Sequence, residues 1–167
     1  DYACLPTLAL AEAASQDLKV IFSGEGGDEA FAGYGRYRPA WAERVFKNLR
    51  YPGSGGFRTR GELKSGKLSR LFRPALHDAL DLHRAPFIEA WRETPEAWSD
   101  LQRRQYVDLS TNLPDDLLVK ADRMLMASSV EGRVPFVDHR VIEFGLSLPD
   151  ALKARKDSGK VFLKCWS

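Results

Sequence analysis

A chain of 167 residues, 44% hydrophobic and 29% charged, has the composition of an ordinary globular domain with a single core. Its 25 basic residues against 23 acidic ones leave a net charge of +2, too little to point to nucleic acid or a membrane surface. No apolar run approaches the roughly 20 residues that span a bilayer, no basic-then-apolar leader opens the chain, and Cys4 and Cys165 lack the spacing of a metal or redox motif. The expectation is a cytoplasmic protein with reduced thiols, a Cys4–Cys165 disulfide remaining open on sequence alone.

Leu5-Pro6-Thr7 opens a helix in which Leu10, Ala13 and Ala14 recur to about Gln16. Asp17-Leu18-Lys19 turns into Val20-Ile21-Phe22, a short apolar run that reads as a parallel strand covered on both faces. Such a strand needs neighbours, and these are expected from sequence upstream of Asp1. Ser23-Gly24-Glu25-Gly26-Gly27-Asp28-Glu29 follows. Its glycines bare backbone amides, while Glu25, Asp28 and Glu29 would repel phosphate unless a divalent cation stood between. A plain strand-to-helix turn capped by Ser23 or Asp28 fits the same residues. The order strand, loop, helix is nevertheless where open parallel sheets bind ligands.

A helix from Glu29 is expected to stop near Tyr34, ahead of Gly35, and a second to run from Pro39 to about Leu49 with Trp41, Val45 and Leu49 buried. Pro52 to Gly56 is the best candidate for disorder. Arg58, Arg60, Lys64, Lys67, Arg70 and Arg73 oppose Glu62 alone, which reads as a solvated face or a surface for another domain. Gly61 to Lys67 matches the first seven positions of a GxxxxGK phosphate loop, but Leu68 replaces the required hydroxyl and no strand precedes it. Helices are expected over Pro74 to His83, Pro86 to Glu93 and Pro95 to about Thr111. Phe87, Ala90, Trp91, Trp98, Leu101, Gln105 and Leu109 face a core, and His77 and His83 lie exposed.

Pro114 begins a helix with Leu117, Ala121, Met124, Leu125 and Ser128 on one face and Asp115, Asp116, Lys120, Asp122 and Arg123 off it. Glu131-Gly132-Arg133 leads into a turn at Pro135, and Asp138 caps a helix from His139 to Leu148 with Val141, Phe144 and Leu148 inward and His139 at the surface. Asp157-Ser158-Gly159-Lys160 places a lysine behind a glycine, suited to a phosphate group.

Two strings carry a resemblance. Ser23 to Glu29 with Phe31, Gly33 and Tyr34, and Leu113 to Leu118 with Lys120, Asp122-Arg123, Met124, Met126-Ala127 and Glu131 to Asp138, resemble signatures of the asparagine synthetase family. The likeness lies in its ATP-dependent synthetase domain and runs from near residue 1 to near residue 164. It implies an α/β fold of the adenine nucleotide alpha hydrolase type with a parallel sheet, this part mostly helical with one strand near 19–22. Residues 1–167 would be the C-terminal portion of one synthetase domain, with a glutaminase domain and an SGGxDS phosphate loop upstream; alone they would be inactive.

The activity implied is ATP-dependent conversion of aspartate to asparagine through β-aspartyl-AMP, with ammonia from glutamine and with Mg²⁺. Through the matched motifs, Ser23 and Gly24 would contact ATP, Glu25 would organise the intermediate and handle the ammonia nitrogen or its proton, and Asp28 would hold Mg²⁺ together with an aspartate of the SGGxDS loop. Lys160 would face the pyrophosphate, and Lys120, Arg123 and Arg133 would brace the site. A homodimer is left open. Ala32 stands where the family usually has glycine, Gly132 where it has alanine and Val137 where it has leucine. Two other readings stay open: a relative that adenylates another carboxylate, in a β-lactam or a peptide, and a non-catalytic helical interaction module.

Overall fold

The computed structural model describes residues 2–50, 53, 55, 70–79 and 82–166. The basic residues from Arg58 to Lys67, the GxxxxGK match, Pro52, Ser54 and Gly56 of the glycine-rich loop, and the side chains of His77 and His83 lie outside the described residues. The chain forms two compact units, Asp1–Arg38 with Asp108–Ser167, and Pro39–Val107.

In the first unit, α1 (Cys4–Ala14) packs on α6 (Val119–Met126), and α6 in turn packs on strand β2 (Glu131–Arg133). Strand β1 (Val20–Phe22) pairs with β2 in parallel, Val20 opposite Glu131, Ile21 opposite Gly132 and Phe22 opposite Arg133. Two expectations are corrected here. A neighbour for β1 comes from within the chain, although Glu131-Gly132-Arg133 has no apolar pattern. Nor is β1 covered on both faces: Val20 and Phe22 are 46% and 80% exposed. The face carrying Ile21 and Gly132 is the covered one, since a side chain at Gly132 would run into Leu125 of α6.

The helix after the loop is a single turn, α2 (Gly27–Ala30), shorter than the expected run from Glu29 to Tyr34. It is entered at Gly26 (φ +88°), with no side-chain cap from Ser23 or Asp28, and left through Ala32 (φ +56°), whose left-handed backbone cannot continue a helix. A 3₁₀ turn, Gly35–Tyr37, follows. At Leu113–Leu118 the backbone winds as a π-helix before tightening into α6, with Leu113, Ala121 and Leu125 buried. After β2, a 3₁₀ turn (Pro135–Val137) leads to α7 (His139–Ser147), capped as expected by Asp138, which accepts from the Arg140 amide at 2.9 Å. Then come α8 (Asp150–Lys153), the antiparallel pair β3 (Ala154–Arg155) and β4 (Ser158–Gly159), and α9 (Val161–Trp166).

Ala30, Phe31 and Leu148 form a core with Phe136, Val141, Phe162 and Leu163 against it. Phe31 stacks on Phe162 and meets Phe136 edge-on. Phe144 touches Phe31 and Phe162 yet remains 46% exposed, so its expected burial is corrected. Gly145 of α7 lies so close to α2 that an added Cβ would stand 2.5 Å from the Ala30 carbonyl oxygen.

In the second unit, α3 (Trp41–Arg50) forms where expected, since Trp41, Val45 and Leu49 recur every four residues. That face is not buried: the three are 71%, 38% and 80% exposed. Pro74–Ala79 and Leu82–Arg84 are 3₁₀ stretches rather than one α-helix, and α4 (Ala85–Glu93) buries Ala90 and Trp91. Helix α5 (Asp100–Ser110) starts later than Pro95. A turn closes first, Trp98 donating to Pro95 at 3.1 Å, and Ser99 and Gln102 then cap the helix reciprocally, each amide donating to the other's side chain. Cys4 and Cys165 are free thiols. No helix among the described residues is long and apolar enough to cross a membrane.

Candidate functional site

The loop Ser23 to Gly26 leaves the C-terminal end of β1 beside the turn that leaves β2. The Ser23 amide donates to the Arg133 carbonyl at 2.8 Å, extending the parallel ladder by one bond before the chain opens. Gly24 is exposed, with nothing within 4 Å of where a Cβ would be, and its carbonyl accepts from the Gly27 amide at 3.2 Å. Gly26 must turn with positive φ while Val137 presses on it, a Cβ there standing 2.8 Å from Val137 Cγ2. The Phe136 ring lies against Gly27 at ordinary van der Waals distance. The two sequence strings are thus in contact, the second forming the floor of the first.

Two carboxylates of this loop meet lysines from other elements. Glu25 pairs with Lys120 at 3.3 Å, Lys120 being nearly buried just after the π-helix. Asp28 pairs with Lys160 at 3.0 Å. Lys160 follows β4 with φ +54°, its amide donating to the Phe31 carbonyl at 3.2 Å, and this strained backbone aims the side chain back over Gly33. A Cβ at Gly33 would stand 1.6 Å from Asp28 Oδ1 and 2.6 Å from Lys160 Cε, so glycine is what lets the pair close. Glu25, Asp28, Lys120 and Lys160 therefore gather at the loop. Arg123 does not: it is exposed and makes no ion pair among the described residues. Arg133 pairs at the surface with Glu131 at 2.8 Å. An open cleft of about 490 Å³, lined by Phe22, Arg133, Val134, Pro135 and Val137 among others, lies at the C-terminal ends of both strands.

Sequence reasoning missed a network behind the loop. Glu29 is 1% exposed, and Tyr34 Oη donates to its Oε1 at 2.8 Å. Burial pushes the Glu29 carboxyl above its ordinary range, the Tyr34 bond opposing; burial and then Glu29 push the Tyr34 phenol up. Arg36 lies 3.6 Å from the Tyr34 ring centroid. Its Nε, at 2.9 Å, and Tyr37 Oη, at 2.8 Å, both donate to Oδ2 of Asp108, which is fully buried. Arg36 Nη2 is as near that oxygen but is not aligned to donate to it. Burial is the largest single influence on the Arg36 cation and works against it, but the Asp108 charge, Tyr37, the hydrogen bond to Asp108 and Tyr34 together raise the guanidinium above its ordinary range. Glu29 was visible as one of three acids, whereas Asp108 carries no local signal in its helix.

Among the described residues no group of three or more His, Cys, Asp or Glu side chains is arranged to enclose a metal ion. The donor set fits one role for a divalent cation: Asp28, 37% exposed, offers a single carboxylate, and Mg²⁺ commonly takes one or two with phosphate oxygens and water completing the shell.

The family model described as asparagine synthase matches residues 1–165. The glutamine-hydrolysing asparagine synthetase 1 of Bacillus subtilis is 29% identical over 98% of this chain and 30% of its own length. A Mycobacterium bovis protein provisionally named a glutamine-hydrolysing asparagine synthetase is 34% identical over 98% of this chain and 29% of its own length. Asparagine synthetase 3 of B. subtilis is 33% identical over 89% of this chain. The chain thus spans about 30% of the length of the first two curated relatives.

Proposed function

The chain belongs to the asparagine synthase family, and on that premise we propose that it is part of an enzyme that converts aspartate to asparagine with ATP, using ammonia released from glutamine. An amide does not form from a carboxylate and ammonia until the carboxylate carries a leaving group better than hydroxide. In the proposed sequence the aspartate side-chain carboxylate attacks the α-phosphorus, pyrophosphate departs, and ammonia displaces AMP from β-aspartyl-AMP while losing a proton. Two anions must first be brought together, so positioning and charge neutralisation carry most of the acceleration.

Ser23 and Gly24, the latter exposed with open space over its Cα, bind the nucleotide. Glu25, held by Lys120, orients the acyl-adenylate and takes the ammonium proton. Asp28 is the carboxylate that would hold Mg²⁺, and the ion would supply neutralisation of phosphate charge. Lys160 balances Asp28 and then the charge that develops on departing pyrophosphate.

One observation carries this reading: Glu25 and Asp28 stand three residues apart just past the C-terminal end of a parallel strand, each opposed by a lysine. The test is aspartate-dependent exchange of labelled pyrophosphate into ATP by the full-length natural protein with Mg²⁺. Exchange that Glu25→Gln diminishes by a hundredfold or so is the expected result. ATP binding with no exchange in the presence of aspartate would refute aspartate as the acceptor, and a Glu25→Gln variant that leaves both the exchange and amide formation with ammonia unaffected would refute the role of Glu25.

A further inference from the structure

Asp28 and Glu29 are neighbours in sequence with opposite surroundings: the first is over one-third exposed, the second 1%. A carboxylate this enclosed is not open to a nucleotide or an ion, yet it sits one residue from the proposed metal ligand. Helix α2 supplies little rigidity of its own. It is one turn long, bounded by positive φ at Gly26 and at Ala32, and a single turn is a costly nucleus that does not persist unaided. Something outside the turn must set the direction in which Asp28 points.

The side chains that do so run in a chain. Glu29 receives the Tyr34 hydroxyl, the Tyr34 ring carries the Arg36 guanidinium on its face, and Arg36 and Tyr37 both end on Asp108 of α5. Tyr34 and Tyr37 also meet edge-on, their centroids 5.7 Å apart. The segment 29–37 is thereby closed into a loop whose two ends are tied to buried carboxylates. Inside it, Gly33 donates its amide to the Asp28 carbonyl at 2.8 Å and Phe31 accepts from Lys160, so closing this loop also fixes the Asp28–Lys160 pair.

Resting on the function proposed above, we propose that Glu29 is a positioning residue for Asp28, with Tyr34 as its latch and Asp108 as the anchor of the segment. The two neighbouring acids divide the labour, one facing the phosphates and the other holding the backbone that presents it. A buried carboxylate with a role in bulk stability alone would give a different result when its partner is trimmed.

The test uses the full-length natural protein and its Tyr34→Phe, Glu29→Gln and Glu29→Ala variants. Tyr34→Phe removes one hydroxyl and keeps the ring under Arg36. Hydrogen exchange of the Ala30, Phe31 and Gly33 amides is read without nucleotide, beside the amides of α7. The expected result for Tyr34→Phe is about tenfold faster exchange at those three amides with α7 unchanged. In pyrophosphate exchange the KM for Mg-ATP rises by a similar factor, with a smaller change in kcat. Glu29→Gln, which still accepts the Tyr34 hydroxyl, stays within threefold of the parent, and Glu29→Ala reproduces or exceeds Tyr34→Phe. Unchanged exchange in Tyr34→Phe, or loss of protection of equal size in α7, would overturn the proposal. A parent protein with no aspartate-dependent exchange would refute the proposed function, and the amide measurement, made without substrate, would still decide on Glu29.

Discussion

Gly33→Ala separates what the site needs from what the fold needs. The added Cβ would lie 1.6 Å from Asp28 Oδ1 and 2.6 Å from Lys160 Cε. Carbon atoms sit comfortably at about 3.5 Å, so the carboxylate must retreat by roughly 2 Å. Both obstacles are ends of side chains, and Gly33 does not occupy the left-handed region, so the backbone tolerates alanine. The ion pair that breaks is about one-third exposed on each side, and such a pair is worth at most about 1 kcal/mol. Reduced freedom of the unfolded chain returns about 0.4–1 kcal/mol. Net stability is therefore expected to change by less than about 1 kcal/mol, while displacement of a reacting group by even about 1 Å can cost a hundredfold in rate. Thermal melts and pyrophosphate exchange on the same preparation give both numbers. Full exchange activity in a stable Gly33→Ala protein would refute the use of Asp28 and Lys160 where they now stand; a collapse in stability would refute the claim that side-chain ends alone must move.

Lys153 is buried, its Nζ donating to the Leu146 carbonyl at 2.8 Å, and burial lowers its amine to about 8 against the pull of Asp150. Between that value and the ordinary lysine range the unfolded chain holds more protons, so stability should rise with pH across that window; Lys153→Met should stabilise by about 2 kcal/mol at pH 7, a gain that shrinks toward pH 10 in denaturant melts. Gly145→Ala should destabilise by about 1–2 kcal/mol, since its Cβ meets the Ala30 backbone oxygen at 2.5 Å and forces α7 from α2, against a helix-propensity gain; a more stable variant would refute that contact. At Gly132 the obstacle is Leu125 Cδ1 at 2.4 Å, so Gly132→Ala should cost about 1 kcal/mol or more and Leu125→Val should relieve it, with a double-mutant coupling of about 1 kcal/mol as the check.

The loop at 23–29 and the cap at Asp138 were legible because each depends on residue type at short range: glycines that bare a backbone, an acid that accepts from an amide two residues on. The Ser99 and Gln102 cap was equally readable, and Pro95 drew the helix start away from it. What was hidden is long-range. Glu131-Gly132-Arg133 becomes a strand through its pairing with β1, not through its own pattern. Asp108 sits in a helix as one acid among several, and nothing near it in sequence names Arg36 and Tyr37 as its partners. The periodicity of α3 foretold a helix correctly and its burial wrongly, because an apolar stripe states what can be covered and not what covers it.

Ala32, Gly132 and Val137, the three positions at which the resemblance implies another residue, act through contacts rather than charges. Val137 touches Gly26, Gly132 lies beneath Leu125, and Ala32 turns the chain out of α2, with its carbonyl 2.3 Å from where a Cβ on Gly159 would be. None carries a proposed catalytic role, and each borders a residue that sets the height or direction of the loop. At Ala32 the energetic terms nearly cancel. Holding alanine in the left-handed region costs about 1–2 kcal/mol. Against that, glycine would give up about 0.5–1 kcal/mol of chain entropy on folding and forfeit one buried methyl worth about 0.8 kcal/mol. Ala32 is fully buried, so the methyl counts in full, and alanine can replace glycine there at almost no net cost. The loop's backbone shape is thus kept by the contacts around it, which is why alanine at position 32 leaves the neighbouring carboxylates in position.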